Sequence, residues 1–214
     1  MDVKQFENNR WMREDQKLEF RHKAALSLVD YGNVLDLGSG DGLMLSLLKD
    51  KGIEGRGLDI SDQGVAKANS KGLITEVFDF GSKPLPFADN SFDSVLMLDI
   101  LEHLYDPLTV LREAARVSKK SVVVGVPNFS SLPARIQVFF GKVPENNQPK
   151  KGHVYWFNKK VLVGLAARSG LRIEKLQVNA QLERIPVIGM VFRLLARIRP
   201  SLFGLSFVVR FTKD

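Results

Sequence analysis

Residues 34–42 read Val-Leu-Asp-Leu-Gly-Ser-Gly-Asp-Gly. An apolar strand runs directly into three glycines at alternate positions. A helical pattern then starts at Leu43, with Leu45, Leu47 and Leu48. Gly38, Gly40 and Gly42 permit a tight turn and let a ligand approach main-chain N–H groups with no Cβ in the way. The spacing is G-x-G-x-G. A dinucleotide fingerprint needs G-x-G-x-x-G, and Leu43 stands where its third glycine belongs.

The acids beside the glycines narrow the ligand. Asp36 and Asp41 flank the loop. A pyrophosphate seeks the positive end of a helix, and neighbouring carboxylates would repel it. The same carboxylates suit a ligand that carries an ammonium and a sulfonium, such as S-adenosylmethionine (SAM), whose product is S-adenosylhomocysteine. The competing reading is a bare strand-to-helix turn with Asp41 as N-cap. Three further strand ends weigh against it. Gly55–Ile60 reads as a strand ending in Asp59, 19 residues after Gly40, where a carboxylate takes ribose hydroxyls. Strand 73–79 leads into Asp79-Phe80, an acid for an amino group and an aromatic to stack on a ring. Strand 92–98 leads into Asp99-Ile-Leu-Glu-His103. Asp36, Asp59, Asp79 and Asp99 thus reach one sheet edge, where open α/β sheets bind ligands. The expected cofactor contacts are Asp36, Gly38, Ser39, Gly40, Asp59, Ile60, Asp79, Phe80 and Asp99.

These pieces resemble the class I SAM-dependent methyltransferases. The matching stretches are VLDLGSGDG (34–42), GLDIS (57–61), FDF (78–80), LPFADNSFDSVLMLDILEHLYDP (85–107) and LREAARVSKKSVVVGVPN (111–128). Within that superfamily, PNFSSLPARIQVFFGKVPE (127–145) is similar to the MetW-like, type 11 group, named for methionine biosynthesis. Ser39 stands where that group often has cysteine, and Glu-Asn-Asn-Gln-Pro-Lys-Lys-Gly-His replaces its run after Pro144. The resemblance implies a Rossmann-like, seven-stranded, mostly parallel sheet with helices on both faces and an antiparallel last strand. It implies methyl transfer from SAM, with Gly38 and Gly40 main-chain groups at the methionine part, Asp59 at the ribose, and Asp79 with Phe80 at the adenine. The alternative it leaves open is a non-catalytic SAM-binding regulator or partner subunit in methionine metabolism. His103 and His153 are the candidate bases, needed only where the acceptor is a hydroxyl or a protonated amine.

Composition sets the outer bounds. The chain has 214 residues, 44% hydrophobic and 26% charged, as expected of one globular domain over 1–214. It has no cysteine, which excludes disulfides and thiolate metal sites and fits a reducing, cytoplasmic setting. His22, His103 and His153 are scattered in sequence, so no metal site is expected. The mixed-charge N-terminus does not read as a signal peptide. The net charge of +7 is unevenly spread: residues 1–109 sum to −7 and residues 110–214 to +14. An acidic cofactor half suits a cationic cofactor. The basic half suggests an anionic partner or a solvated basic face. No RNA-binding module is appended, which speaks against a nucleic-acid substrate. The expected acceptor is therefore small or lipid-like, and anionic.

Around this core, residues 1–32 read as a helical cover carrying Phe6, Trp11, Leu18, Phe20 and Leu26. Alternation of strands with helices at 41–50, 62–71 and 107–117 implies the parallel sheet, followed by strands 120–126, 171–178 and 205–212. Residues 127–157 form a lid insertion, with Arg135, Lys142, Lys150 and Lys151 giving it a cationic face and 141–152 reading as a mobile loop. A second insertion, 179–203, holds a helix over 185–199 with Val191, Phe192 and Leu195 on one side and Arg193 and Arg197 one turn apart. The 184–199 segment is either a peripheral contact with a membrane surface or a helix packed on the lid or on a second subunit of a homodimer.

Overall fold

The structure, a computed structural model, describes residues 3–13, 15–180 and 186–213. Seven strands form one sheet: β1 Asn33–Leu37, β2 Glu54–Asp59, β3 Ile74–Val77, β4 Phe92–Leu98, β5 Ser118–Pro127, β6 Leu171–Ala180 and β7 Gly204–Lys213. Their spatial order is β3-β2-β1-β4-β5-β7-β6. β1 to β5 run parallel, and β7 lies antiparallel between β5 and β6. This is the sheet the sequence implies, with β3 shorter than expected and β5 extended at both ends.

Side-chain alternation splits the core into two layers. Leu35, Leu37, Val95, Met97, Val122, Val124, Phe207 and Phe211 pack on one face. Val34, Leu96, Val123 and Val208 pack on the other. The period of two sends neighbours to opposite faces, and near-continuous Val and Leu runs mark strands covered on both sides. Helices α5 (Pro107–Val117) and α7 (Lys159–Arg168) cover the first face, and α2 (Phe20–Leu26) and α3 (Leu43–Lys49) the second.

Local capping fixes the ends. Asp106 accepts from the Thr109 N–H at 3.2 Å, with Pro107 opening α5. Ser61 accepts from Gly64 N–H at 3.1 Å to start α4 (Asp62–Ser70). Asn158 accepts from Val161 N–H at 3.0 Å to start α7. Asp41 does not cap α3. Gly42, at φ +80°, is the N-cap residue, and the buried Asp41 carboxylate instead takes Lys71 Nζ at 3.1 Å and the Gln16 N–H at 3.3 Å. Asp41 thereby ties the segment after α1 (Val3–Arg13) to the end of α4.

After β5 comes α6 (Leu132–Phe139), and two 3-10 turns, Glu145–Asn147 and Pro149–Lys151, lie within the 141–152 stretch read as a loop. β6 runs on to Ala180, so the second insertion starts later than 179. Its described part is α8 (Pro186–Ile198) and α9 (Pro200–Phe203), and Arg184 lies outside the described residues. Among the described residues no helix is long and apolar enough to cross a membrane.

Candidate functional site

The carboxyl ends of β1 to β4 open into a cavity of about 380 Å³. Gly38, Asp59, Ile60, Asp79, Phe80, Asp99 and His103 line it together. Asp36, Ser39, Gly40 and His153 do not. Asp36 lies buried at the end of β1, and Ser39 of the glycine loop turns its side chain inward towards Gly57, where its Oγ has no partner. Gly40 is covered by the Trp11 ring of α1, whose Cζ2 stands 2.2 Å from where a Cβ would be.

The glycine loop departs from the sequence reading in one respect. Its N–H groups are already spent within the fold. Gly38 N–H donates to the Leu58 carbonyl at 2.7 Å, and Gly40 N–H to Asp59 Oδ2 at 2.8 Å. The turn folds the loop back on β2, because Gly38 and Gly40 both adopt positive φ. Gly38 therefore meets the cavity without a free donor, an arrangement that welcomes a cation more than a phosphate. A Cβ at Gly38 would fall 2.0 Å from Ile100 Cδ1.

Each strand-end acid is held differently. Asp59 also accepts from Ser61 N–H at 2.8 Å, and burial raises its pKa against those two N–H bonds. Asp36, wholly buried and near the Asp59 charge, is pushed up to about 7. Asp79 accepts from Gly81 N–H at 3.1 Å and Ser82 Oγ–H at 2.7 Å, so it shapes the loop while facing the cavity. Asp99 sits at φ +55°, paired with Arg21 at 2.9 Å, with its pKa raised by burial. The sequence reading missed Glu7 and Arg10 of α1 and Arg21 of α2, which also line the cavity. α1 carries little apolar periodicity, and only its Trp11 is buried.

A second cavity of about 990 Å³ adjoins the first, sharing Arg21 and Asp99 with it. The lid contributes Ser131, Ala134, Gln137 and Glu145 to its wall, and β7 contributes Leu205 and Phe207. None of Arg135, Lys142, Lys150 and Lys151 lines either cavity. Lys150 pairs with Glu145 at 3.2 Å, and Arg135 donates to the Ser130 carbonyl at 2.8 Å. The cationic lid face expected from the charge count therefore does not face either cavity.

His103 and His153, 50 positions apart, stand together with ring centroids 4.8 Å apart. Burial lowers both, His103 to about 4, so both rings are neutral at physiological pH. Glu102 lies against them, fully buried, with neither carboxyl oxygen hydrogen-bonded. Burial, aided by the Asp99 charge, holds Glu102 well above the carboxylate range.

Known proteins resemble the chain in sequence and in fold. A norajmaline N-methyltransferase of Rauvolfia serpentina is 34% identical over 107 residues, which is 46% of this chain and 36% of that protein. A demethylmenaquinone methyltransferase of Corynebacterium urealyticum is 33% identical over 118 residues, 55% of this chain and 50% of that protein. The chain thus spans half or less of the length of these curated relatives. The structure of magnesium protoporphyrin IX methyltransferase from Synechocystis, solved with bound S-adenosylhomocysteine, superposes with a TM-score of 0.69 at 15% identity, covering 99% of this chain and 98% of that one. The fold is that of the class I methyltransferases. A family model matches residues 20–179, from α2 almost to the end of β6. That span takes in the glycine loop, the strand-end acids and the lid, and the chain belongs to the family described as methionine biosynthesis protein MetW.

Proposed function

We propose that the chain binds SAM in the smaller cavity and transfers its methyl group to a small or lipid-like acceptor held in the larger one. The observation that carries the reading is the junction of the two cavities at Asp99 and Arg21, beside the strand-end residues Gly38, Asp59, Asp79 and Phe80. The donor set fits the cofactor. Carboxylates of Asp59 and Asp79 offset positive charge, Glu7 and Asp99 already pair with Arg10 and Arg21, Phe78, Phe80 and Leu104 offer apolar faces, and Gly38 leaves room for the packed Ile100 side chain at the cavity wall. In this reading Asp59 holds the ribose hydroxyls and Asp79 with Phe80 the adenine. SAM supplies an electrophilic methyl on a sulfonium. The protein's share is to align an acceptor against it and exclude water. Where the acceptor carries a proton, His103 is the histidine of the pair that reaches the cavity wall.

The acceptor class follows from size and lining. The larger cavity mixes Leu18, Phe20, Leu205 and Phe207 with Lys23, Glu19 and Glu145, which suits a mainly apolar molecule with a polar end. Its lining lends no support to an anionic acceptor. The relatives' acceptors, norajmaline and demethylmenaquinone, are of this broad kind. A peripheral membrane contact through α8 accompanies the reading. Val187 and Ile198 are 72% and 65% exposed, Met190, Val191 and Leu194 are exposed beside them, and Arg193, Arg197 and Arg199 flank them. A large exposed apolar face with cations around it suits an anionic lipid surface.

Titration calorimetry tests the first part. S-adenosylhomocysteine should bind far more tightly than NAD, and Asp59→Ala should weaken it by about 1–3 kcal/mol, the usual loss on unpairing a buried polar group. Equal or stronger NAD binding would sink the reading. Methyl-labelled SAM incubated with quinones, phospholipids and small amines tests the second part, where label should enter an acceptor. Cofactor binding with no transfer to any of them would favour the regulator or partner-subunit reading that the family's description also fits.

A further inference from the structure

Three side chains beside the cofactor cavity have complementary deficits. Glu102 is completely buried, and both of its carboxyl oxygens lack a hydrogen-bond partner. A buried carboxyl left in this state is among the least favourable groups a fold can hold. His103 Nδ1 lies 3.2 Å from the Gly152 carbonyl, and His153 Nδ1 lies 2.7 Å from the Asn146 carbonyl. A carbonyl only accepts, so each Nδ1 carries the proton. Each neutral ring then presents Nε2 as a bare lone pair. His153 Nε2 is 3.9 Å from Glu102 Oε1, and one ligand atom from each of the three residues lies within 4.8 Å of the others.

The cluster thus brings two neutral imidazoles and one carboxyl group close together, with neither Glu102 oxygen hydrogen-bonded to another side chain. Backbone carbonyls that fix the tautomer by taking Nδ1–H are the usual outer support of metal-binding histidines. Three protein ligands of this kind, with a fourth position open, match a zinc-like divalent ion. Ligand atoms around such an ion sit about 3.4 Å apart, given bonds near 2.1 Å in a tetrahedron, so atoms now within 4.8 Å of one another need to draw in by at most about 1.4 Å. Asp99 adds negative charge that is felt at both Glu102 and His153. The site is built by distant parts of the chain: the 3-10 turn Leu101–His103 after β4 brings Glu102 and His103, and the end of the lid brings His153. Phe6 of α1 packs beside Gly152 and Phe129 beside His153.

We propose that Glu102, His103 and His153 bind one divalent transition-metal ion at the edge of the cofactor cavity. The ion would add a further tie between the β4 end, which carries Glu102 and His103, and the end of the lid, which carries His153, beside the hydrogen bonds of Val154 and Tyr155 N–H to the Glu102 carbonyl. The proposal rests on these three side chains and not on the methyltransferase reading. Its test accordingly uses metal alone.

The full chain, stripped with a chelator, is titrated with Zn²⁺ by calorimetry and with Co²⁺ by visible absorption. The expected result is one equivalent per chain, with cobalt d–d bands in the visible. Glu102→Gln and His153→Ala should each weaken binding at least about tenfold and alter the cobalt spectrum. Gln matches Glu in shape, so the first variant keeps the fold even if the second does not. Failure of the wild-type chain to take up a stoichiometric ion would overturn the proposal. So would equal uptake by Glu102→Gln with an unchanged spectrum, since the vacancy would then belong to a protonated carboxyl. Binding of S-adenosylhomocysteine, measured on the same samples, reports separately on the cofactor cavity.

Discussion

The two ends of the ligand-binding edge are built by opposite rules. On the β1–β3 side most polar groups of the glycine loop and its neighbours are used internally: Gly38 N–H on β2, Gly40 and Ser61 N–H on Asp59, and an Asp41 oxygen on Lys71, with the Ser39 hydroxyl left over. On the β5–β7 side, α6 and α8 leave large apolar surfaces uncovered, with Phe139 84% and Phe140 70% exposed. A cofactor shared by many reactions needs one fixed cradle. An acceptor side that meets variable or surface-bound molecules keeps its apolar area outside, as interaction surfaces do.

The contrast would break first at Gly40. Gly40→Val places a branched side chain at φ +52° and into the Trp11 ring. Left-handed strain and overpacking together should destabilise the chain by about 2–5 kcal/mol in denaturant unfolding. Adding Trp11→Ala should recover part of the loss. A neutral Gly40→Val would mean that the loop is as tolerant as the far side.

A smaller effect concerns buried charge. The Asp36 carboxyl releases its proton near 3.8 when unfolded but holds it to about 7 when folded. Folding is therefore progressively disfavoured as pH rises through that window. His22 and His103, pushed down to about 4, act oppositely, since the unfolded chain gains protons as pH falls below 6.5. Asp36→Asn removes the first contribution and leaves the second. Its stability advantage over wild type should grow by about 2 kcal/mol between pH 5 and 7.5. An advantage independent of pH would show that Asp36 ionises in the fold.

The smallest effect on stability belongs to α8. Val191→Gln with Leu194→Gln alters two exposed side chains and should change unfolding free energy by no more than about 0.5 kcal/mol. The same pair should abolish sedimentation with anionic phospholipid vesicles, which wild type should show and high salt should reverse. Wild type that ignores vesicles and instead dimerises through this face would assign α8 to a second copy of the chain.

What the sequence made legible follows the range of the signal. Strand ends carrying Asp59, Asp79 and Asp99 could be read because alternation and glycine spacing are local patterns. Asp41 misled as an acid beside the ligand, because a loop carboxylate turned towards a ligand and one turned to Lys71 look alike in one dimension. The meeting of His103 with His153 carries no local pattern. It depends on the lid returning to the end of β4. The lid's lysines misled in another way: counting charges says nothing of the direction in which they point.

That return of the lid has a further consequence. The Glu102 main-chain carbonyl accepts N–H groups from Val154 and Tyr155 at 2.8 and 3.0 Å, and Phe129 N–H donates to the Phe157 carbonyl at 2.9 Å. The two ends of residues 129–157 are thus stapled to each other and to the sheet edge, whatever lies between them. Closing entropy grows only slowly with length, by about 0.6 kcal/mol for each doubling. The intervening stretch is in effect a cartridge. Its length and sequence can be exchanged at little thermodynamic penalty, so a change of acceptor need not disturb the domain that carries it.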